Sequence, residues 1–319
     1  MRVLFASLAS AGHTYPMIPL AVAARDAGHE VHWAAGEHVH SDLSVLGVRP
    51  FRPADSFYEI YAEDLAPDLE RLRPDLVVHG WGVPGAAAAA RAAGIPGLWH
   101  GFGRMFPPDI GLSRPDFGSP HVDICPISLQ DKEFLSSASR IALRPVPFRP
   151  GAWERPAGML IYVTFGTAFG TASLLSMVIP AVARLASQVV VATGRVPVAS
   201  LGPLPSNVTA HSWVPQAAVV PHASVVVHHG GSGTTLGALA AGVPQLVLPQ
   251  GADQFANAAA VVAAGVGLAP AVISGEAIGD DTLTLLASRS YREAARALAA
   301  EIALMPSPAS VARRLGSYA

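Results

Sequence analysis

Residues 228–242 read HHGGSGTTLGALAAG. A glycine-rich turn that runs into a helix can bind an anion. The first helical turn leaves backbone N–H groups without internal partners, and the helix dipole adds partial positive charge there. Gly230, Gly231 and Gly233 remove Cβ atoms that would hold a ligand off the backbone. Ser232 and Thr234 bring hydroxyl donors, and His229 an imidazole N–H. Together these groups suit a phosphate or diphosphate. The plainer reading is a strand-to-helix turn with Ser232 as the N-cap. Three rival chemistries fit less well. A serine-hydrolase elbow needs G-x-S-x-G, and Thr234 stands in the last position. A dinucleotide fingerprint belongs right after the first strand, where Ser10-Ala11-Gly12 does not supply it. A metal shared by His228 and His229 is disfavoured, because adjacent strand residues point to opposite faces.

A second chemically capable residue is His13, just after the first strand. Its unperturbed pKa of ~6.5 lets imidazole be neutral and basic at cell pH. From the residue alone, a proton acceptor and a histidine at a helix start remain equal alternatives. No D-x-D sequence offers a metal site, and Asp280-Asp281 reads as a helix start. Lys132 is the only lysine, so a P-loop is excluded.

The elements that position these residues alternate. Arg2–Ala6 reads as a strand, 16–27 as a helix stopped by Gly28, and HEVHWAA as a second strand. RPDLVVHGW, GIPGLWHG, MLIYVTFGT, QVVVATG, VTAHSW, SVVVHHGG and QLVLPQG read as further strands. Helices are expected between them, over about 85–93 and 172–187. Residues 145–158 carry four prolines and read as a linker. The implied division is an N-terminal domain over 1–150 and a C-terminal domain over 151–305. A final helix over 306–319 is expected to pack back on the first domain. Both domains should be doubly wound α/β sheets, with ligands at the carboxyl ends of the strands.

Composition narrows the function. The 319 residues are 51% hydrophobic and 14% charged, with a net charge of −2. Such a chain can build large cores and presents no basic face for nucleic acid. Cys125 is alone, so no disulfide framework is possible. The N-terminus reads as a strand and not a signal peptide, and the Ala-rich run over 258–272 is too broken to span a bilayer. A cytoplasmic protein is expected.

Three blocks in order, SWVPQ (212–216), HHGGSGTT (228–235) and PQGADQFANA (249–258), resemble the nucleotide-sugar signature of GT-B glycosyltransferases. They are most similar to actinomycete enzymes that decorate antibiotics, including the calicheamicin-type glycosyltransferases. AGHTYP near the N-terminus and VTFGT after the linker fit as well. The N-terminal half is short for that family, with abrupt joins near Asp55-Ser56 and near Gly111.

The resemblance implies two Rossmann-like domains facing across a cleft and a metal-independent, inverting hexosyltransferase without a cofactor. Trp213 would stack on the nucleobase and the Val214 backbone would hydrogen-bond its edge, although Trp213 alone reads as a core aromatic. Gln216 would neighbour the ribose, or merely start a helix. His229, Gly231, Ser232, Gly233 and Thr234 would hold the diphosphate, and Thr167 would contact it from a facing turn. Asp253 and Gln254 would bind sugar hydroxyls, unless Asp253 only caps a helix. His13 would be the general base.

Two departures matter. Plant relatives carry a ribose-binding glutamate where this chain has Gly237, which favours a dTDP-sugar over a UDP-sugar. An acid that orients the histidine in many relatives is replaced by Gly80, so that Asp109 or another group would substitute, or the acceptor would be acidic enough to need little help. The acceptor would be a hydrophobic natural product, of enediyne or other antibiotic type, lying near Trp81, Phe102 and Phe106. A homodimer stays open, as do two other classes: a non-catalytic auxiliary subunit and a nucleotide-sugar epimerase.

Overall fold

Short apolar runs punctuated by Gly, Pro and Asp become strands throughout this chain, and Ala- and Leu-rich runs between them become helices. The computed structural model describes residues 1–106, 119–137, 139–148, 153–154 and 158–319. Asp109 and Gly111, and most of the second half of the expected linker, lie outside them. The chain forms two units, residues 1–148 with 305–319, and residues 149–304.

The first unit holds seven strands: β1 (Arg2–Ala6), β2 (Glu30–Ala34), β3 (Arg49–Phe51), β4 (Leu76–Gly80), β5 (Gly97–His100), β6 (His121–Asp123) and β7 (Arg140–Ala142). They pair in parallel in the order β3-β2-β1-β4-β5-β6-β7. The second unit holds β8 (Leu160–Thr164), β9 (Gln188–Ala192), β10 (Val208–His211), β11 (Val225–His228), β12 (Gln245–Val247) and β13 (Gly267–Leu268). Their order is β10-β9-β8-β11-β12-β13, also parallel. Parallel sheets covered on both faces need apolar residues at every position. β4, β8 and β11 are buried along their whole length.

In each sheet the winding reverses once, between β1 and β4 and between β8 and β11. At such a switch point the connections leave in opposite directions and open a crevice at the carboxyl ends of the strands. His13 follows β1, Trp81 follows β4, Thr167 follows β8 and His229 follows β11. Topology alone therefore delivers these residues to the two switch points.

The helix expected over 16–27 takes a different form. Ala11–Thr14 is one α-turn, Tyr15–Met17 is 3-10, and the α-helix proper runs from Ile18 to Asp26. Pro16 and Pro19 explain the break, since proline lacks an N–H and is tolerated only in a first turn. The helix Ala172–Ala183 is capped by Thr171, whose hydroxyl accepts from the Leu174 amide at 3.2 Å. Leu175, Val178 and Val182 on its inner face are fully buried, each contributing roughly 1.5–3 kcal/mol of transfer free energy. It stops before 187. Asp280 and Asp281 lie inside the helix Gly275–Ala287, which Ser274 caps, and not at a helix start. The segment Pro308–Ala312 packs on the helix Ile18–Asp26. Among the described residues no helix is long and apolar enough to cross a membrane.

Burial depresses several histidines below their ordinary value of 6.5. His79, His100 and His229 fall to about 4 and His121 and His228 to about 3. A base whose folded pKa is depressed binds protons more readily in the unfolded chain, so stability is complete above 6.5 and is lost on acidification toward 4. Asp123 and Asp253, raised by burial, act in the opposite sense but are outnumbered. The melting temperature is expected to fall by several degrees between pH 7 and pH 5. Calorimetry showing a flat profile over that range would contradict this.

Candidate functional site

The turn after β11 is built by its own glycines and by the two histidines. His228 is fully buried. The Gly230 amide donates to its Nδ1 at 3.1 Å, so its Nε2 carries the proton and donates to Gln245 Oε1 at 2.8 Å. This histidine is a splint for the turn. His229 points the other way. A Cβ on Gly231 would stand 2.6 Å from its Nε2, and one on Gly166 2.8 Å from its Cε1. Gly230 sits at φ +90°, a conformation that favours glycine. The ring of Phe169 stacks on His229 at 5.8 Å.

The helix Ser232–Ala240 then begins with Gly231 at its N-cap, and Thr235 is the first amide to bond back, onto the Gly231 carbonyl. The amides of Ser232, Gly233 and Thr234 have no intrahelical partner. No side chain caps the helix: Ser232 stands inside it, which removes the N-cap reading of that residue. A Cβ on Gly233 would meet nothing within 4 Å. The mouth of the helix is thus lined by free amides and opens on space at one glycine.

Residues 249–257 form its side wall. Gln254 is buried, and its Oε1 accepts from the amides of Gln250 (2.8 Å) and Gly251 (3.2 Å). That pins a loop in which Ala252 adopts φ +53°, a strained value for a residue with a Cβ. Gln254 therefore has only its Nε2 to offer a ligand. The loop delivers Asp253, whose Oδ2 accepts from Ser232 Oγ at 2.9 Å and from Asn257 Nδ2 at 2.8 Å. Asn257 Nδ2 also donates to the Gly230 carbonyl at 2.8 Å. Asp253 occupies the N-cap position of the helix Gln254–Ala263 without capping it through its side chain. Burial pushes its carboxyl upward, and the bonds from Ser232 and Asn257 pull it back.

Trp213, in the loop after β10, is 52% exposed, so it is a surface platform and not a core aromatic. The Val214 side chain is buried. Thr234 Oγ1 donates to Gln216 Oε1 at 3.2 Å, and the Gln216 amide nitrogen stands 3.4 Å from where a Gly237 Cβ would be. Gln216 thereby fills the room beside Gly237. Thr167 is exposed after Gly166, at φ +68°.

In the first unit His13 is half-buried between rings. It stacks on Trp81 at 6.1 Å and tilts against Phe102 at 5.3 Å. Burial alone lowers its pKa below 6.5. Among the described residues no carboxylate bonds its ring. A Cβ on Gly80 would face Met17 Sδ at 3.3 Å and the Ala6 carbonyl at 3.5 Å; it is Gly82 that approaches His13 Nδ1. Phe106 is fully buried and supports Trp81 edge-on at 5.2 Å, so Trp81 and Phe102 form the reachable face. The Trp81 Nε1–H is buried and has no hydrogen-bond partner among the described residues.

Two doubly wound parallel sheets, with an uncapped helix mouth at the switch point of the second, match the GT-B class of glycosyltransferases in solved structures. The glycosyltransferase SnogD from Streptomyces nogalater superposes with a TM-score of 0.85, at 26% identity and 99% coverage of both chains. Spinosyn rhamnosyltransferase SpnG complexed with thymidine diphosphate gives 0.83 at 26% identity, covering 99% of this chain and 100% of that one. Residues 176–317 match the family described as erythromycin biosynthesis protein CIII-like, C-terminal domain. Elloramycin glycosyltransferase of Streptomyces olivaceus is 32% identical over 377 positions, covering 99% of this chain and 97% of the relative. L-demethylnoviosyl transferase of Streptomyces niveus is 30% identical, with 99% and 98% covered. The chain belongs to the family 1 glycosyltransferases of actinomycete antibiotic type and is an enzyme of sugar transfer. Alignments of 377 and 376 positions against 319 residues mean that these relatives carry segments this chain lacks.

Three contributors escaped the sequence reading: His228 as the turn's splint, Ala252 as a strained hinge, and Asn257. Asn257 stands four residues after Asp253, on the same helix face, so that spacing was the available signal. The two turn glycines should separate on mutation. Gly231→Ala should lower the melting temperature, because its methyl meets the His229 ring. Gly233→Ala should leave it unchanged and weaken diphosphate binding at least tenfold. Equal melting temperatures for the two variants, or unaltered dTDP binding by Gly233→Ala, would contradict the geometry.

Proposed function

We propose that this enzyme moves a sugar from a dTDP-sugar to a hydroxyl of a hydrophobic natural product, with inversion and with His13 as general base. The observation that carries the donor half is the helix mouth: free amides of Ser232, Gly233 and Thr234 beside an open Gly233. A relative of the same fold was solved with thymidine diphosphate, which supports the same nucleotide here. Trp213 is the stacking platform for its base. Gly237 with Gln216 over it presents an amide where a carboxylate would bind both ribose hydroxyls, which fits a deoxyribose.

The chemistry balances with these groups. The acceptor oxygen forms a bond to the anomeric carbon while its proton passes to a ring nitrogen of His13. The bond from that carbon to the β-phosphate oxygen breaks, and its electron pair stays on the departing dTDP. The charge that develops there falls on amides already fixed in place, which need not reorganise. His13 then releases its proton to water. Apolar walls keep its imidazole neutral at cell pH, so the free base is always available. The face of Trp81 and Phe102 suits a flat apolar acceptor, and the Trp81 N–H suits an oxygen on it.

His13→Ala should lose ~10²- to 10⁴-fold in kcat while binding dTDP as the wild type does. Wild-type turnover by that variant would refute the assignment. The acid limb of kcat/KM should lie below 6.5, in the direction of the lowered His13 pKa; a limb above that value would show that another group is titrating. Turnover with dTDP-glucose should exceed that with UDP-glucose, and a clear preference for UDP would overturn the nucleotide reading. dTDP released from a dTDP-sugar only when an acceptor is added separates a transferase from an epimerase.

A further inference from the structure

The Ser232 hydroxyl has one proton, and in the ligand-free protein it is spent on Asp253 Oδ2 at 2.9 Å. The same carboxylate oxygen accepts from Asn257 Nδ2 at 2.8 Å. Asn257 is itself immobile. It is buried, it rises from the first turn of the helix Gln254–Ala263, and its amide also donates to the Gly230 carbonyl at 2.8 Å and, more weakly, to Ser232 Oγ at 3.2 Å. One side chain therefore ties the phosphate turn to the carboxylate on the neighbouring loop.

Consider a diphosphate arriving at the helix mouth. Its oxygens are stronger acceptors at closer range to the helix amides, and Ser232 is the hydroxyl beside them. If that hydroxyl turns to the phosphate, Asp253 loses one of its two side-chain donors and gains a free lone pair. With one side-chain donor gone, the buried carboxylate is held less firmly. Asn257 is the donor that stays.

We propose that Asn257 is a positioning residue for the donor sugar: it holds the Asp253 carboxylate in place after Ser232 leaves it for the diphosphate, so that the freed lone pair receives a sugar hydroxyl. The inference rests on the donor reading given above. Asn257 acts through Asp253 and touches neither the phosphates nor the reacting carbon.

The test compares dTDP with dTDP-glucose by calorimetry on the whole protein, for wild type, Asn257→Ala, Asn257→Leu, Asp253→Ala and the double variant Asn257→Ala/Asp253→Ala. Asn257→Leu keeps the bulk of the side chain and removes the donor without adding charge, so it guards against a mere packing defect. The expected result is that dTDP binds wild type and both Asn257 variants within about threefold. Meanwhile dTDP-glucose weakens by about tenfold or more in both, the scale of one hydrogen bond to a charged group. The double variant should lose no more than Asp253→Ala alone, because the two residues act as one unit. If both ligands weaken by the same factor, Asn257 only supports the turn and the proposal fails. It fails also if the glucose moiety adds no affinity in wild type, or if the double variant loses the sum of the single losses. A wild-type protein that binds neither ligand would instead bring down the donor reading itself.

Discussion

Backbone amides at the mouth of the helix Ser232–Ala240 have no partner within the helix, and the rest of the second unit is arranged around that deficit. A helix cannot satisfy its first N–H groups internally. Here the N-cap residue, Gly231, has no side chain to cap them, and Ser232 and Thr234 stand inside the helix. Their hydroxyls are directed elsewhere, to Asp253 and to Gln216. The Gly230 amide is withdrawn from the mouth by His228. What remains is a small set of donors facing one open glycine. An anion with several oxygens satisfies that set, and a departing diphosphate gains most from it, since its charge grows as the bond to the sugar breaks.

Parallel winding explains why both halves of the chemistry lie at strand ends. β1 and β8 are the strands from which each sheet winds outward in both directions, and their following turns carry His13 and Thr167. The chain needs no long excursions to reach either position. The histidines differ in what holds them: His228 is locked in one tautomer by a backbone donor, while among the described residues no hydrogen bond fixes the His13 ring. Two residues of one type thus stand in different environments: one is a splint for its turn, the other a half-buried imidazole between rings.

Much of this was legible in the sequence because its causes are local. The glycines of the β11 turn and the buried apolar runs of β1, β4, β8 and β11 follow from residue type and near neighbours. The exposed position of Trp213 does not: by itself it reads as a core aromatic. Strands β3, β6 and β7 were not legible. They hold three residues each, RPF, HVD and RIA, too few to show a period and with a proline or charges among them. The contact of Ser232 with Asp253 spans 21 residues and that of Asn257 with Gly230 spans 27; no local pattern encodes such pairs. The sequence placed Phe106 beside Trp81 correctly in space but could not show that it lies beneath the ring and out of reach. Nor could the sequence show that the Gln254 carbonyl is committed to the 250–251 backbone, which leaves only its Nε2 for a ligand.

Grip on the pyrophosphate by the helix mouth can be isolated from every other contact by stripping phosphates from one ligand. Calorimetric affinities of thymidine, thymidine monophosphate and dTDP share the base and sugar and differ only in the anion. The expected order is a steep rise with each phosphate, dTDP binding at least a hundredfold more tightly than thymidine, about 2.7 kcal/mol. Equal affinities for the three would mean that the amides at Ser232–Thr234 do not hold the diphosphate.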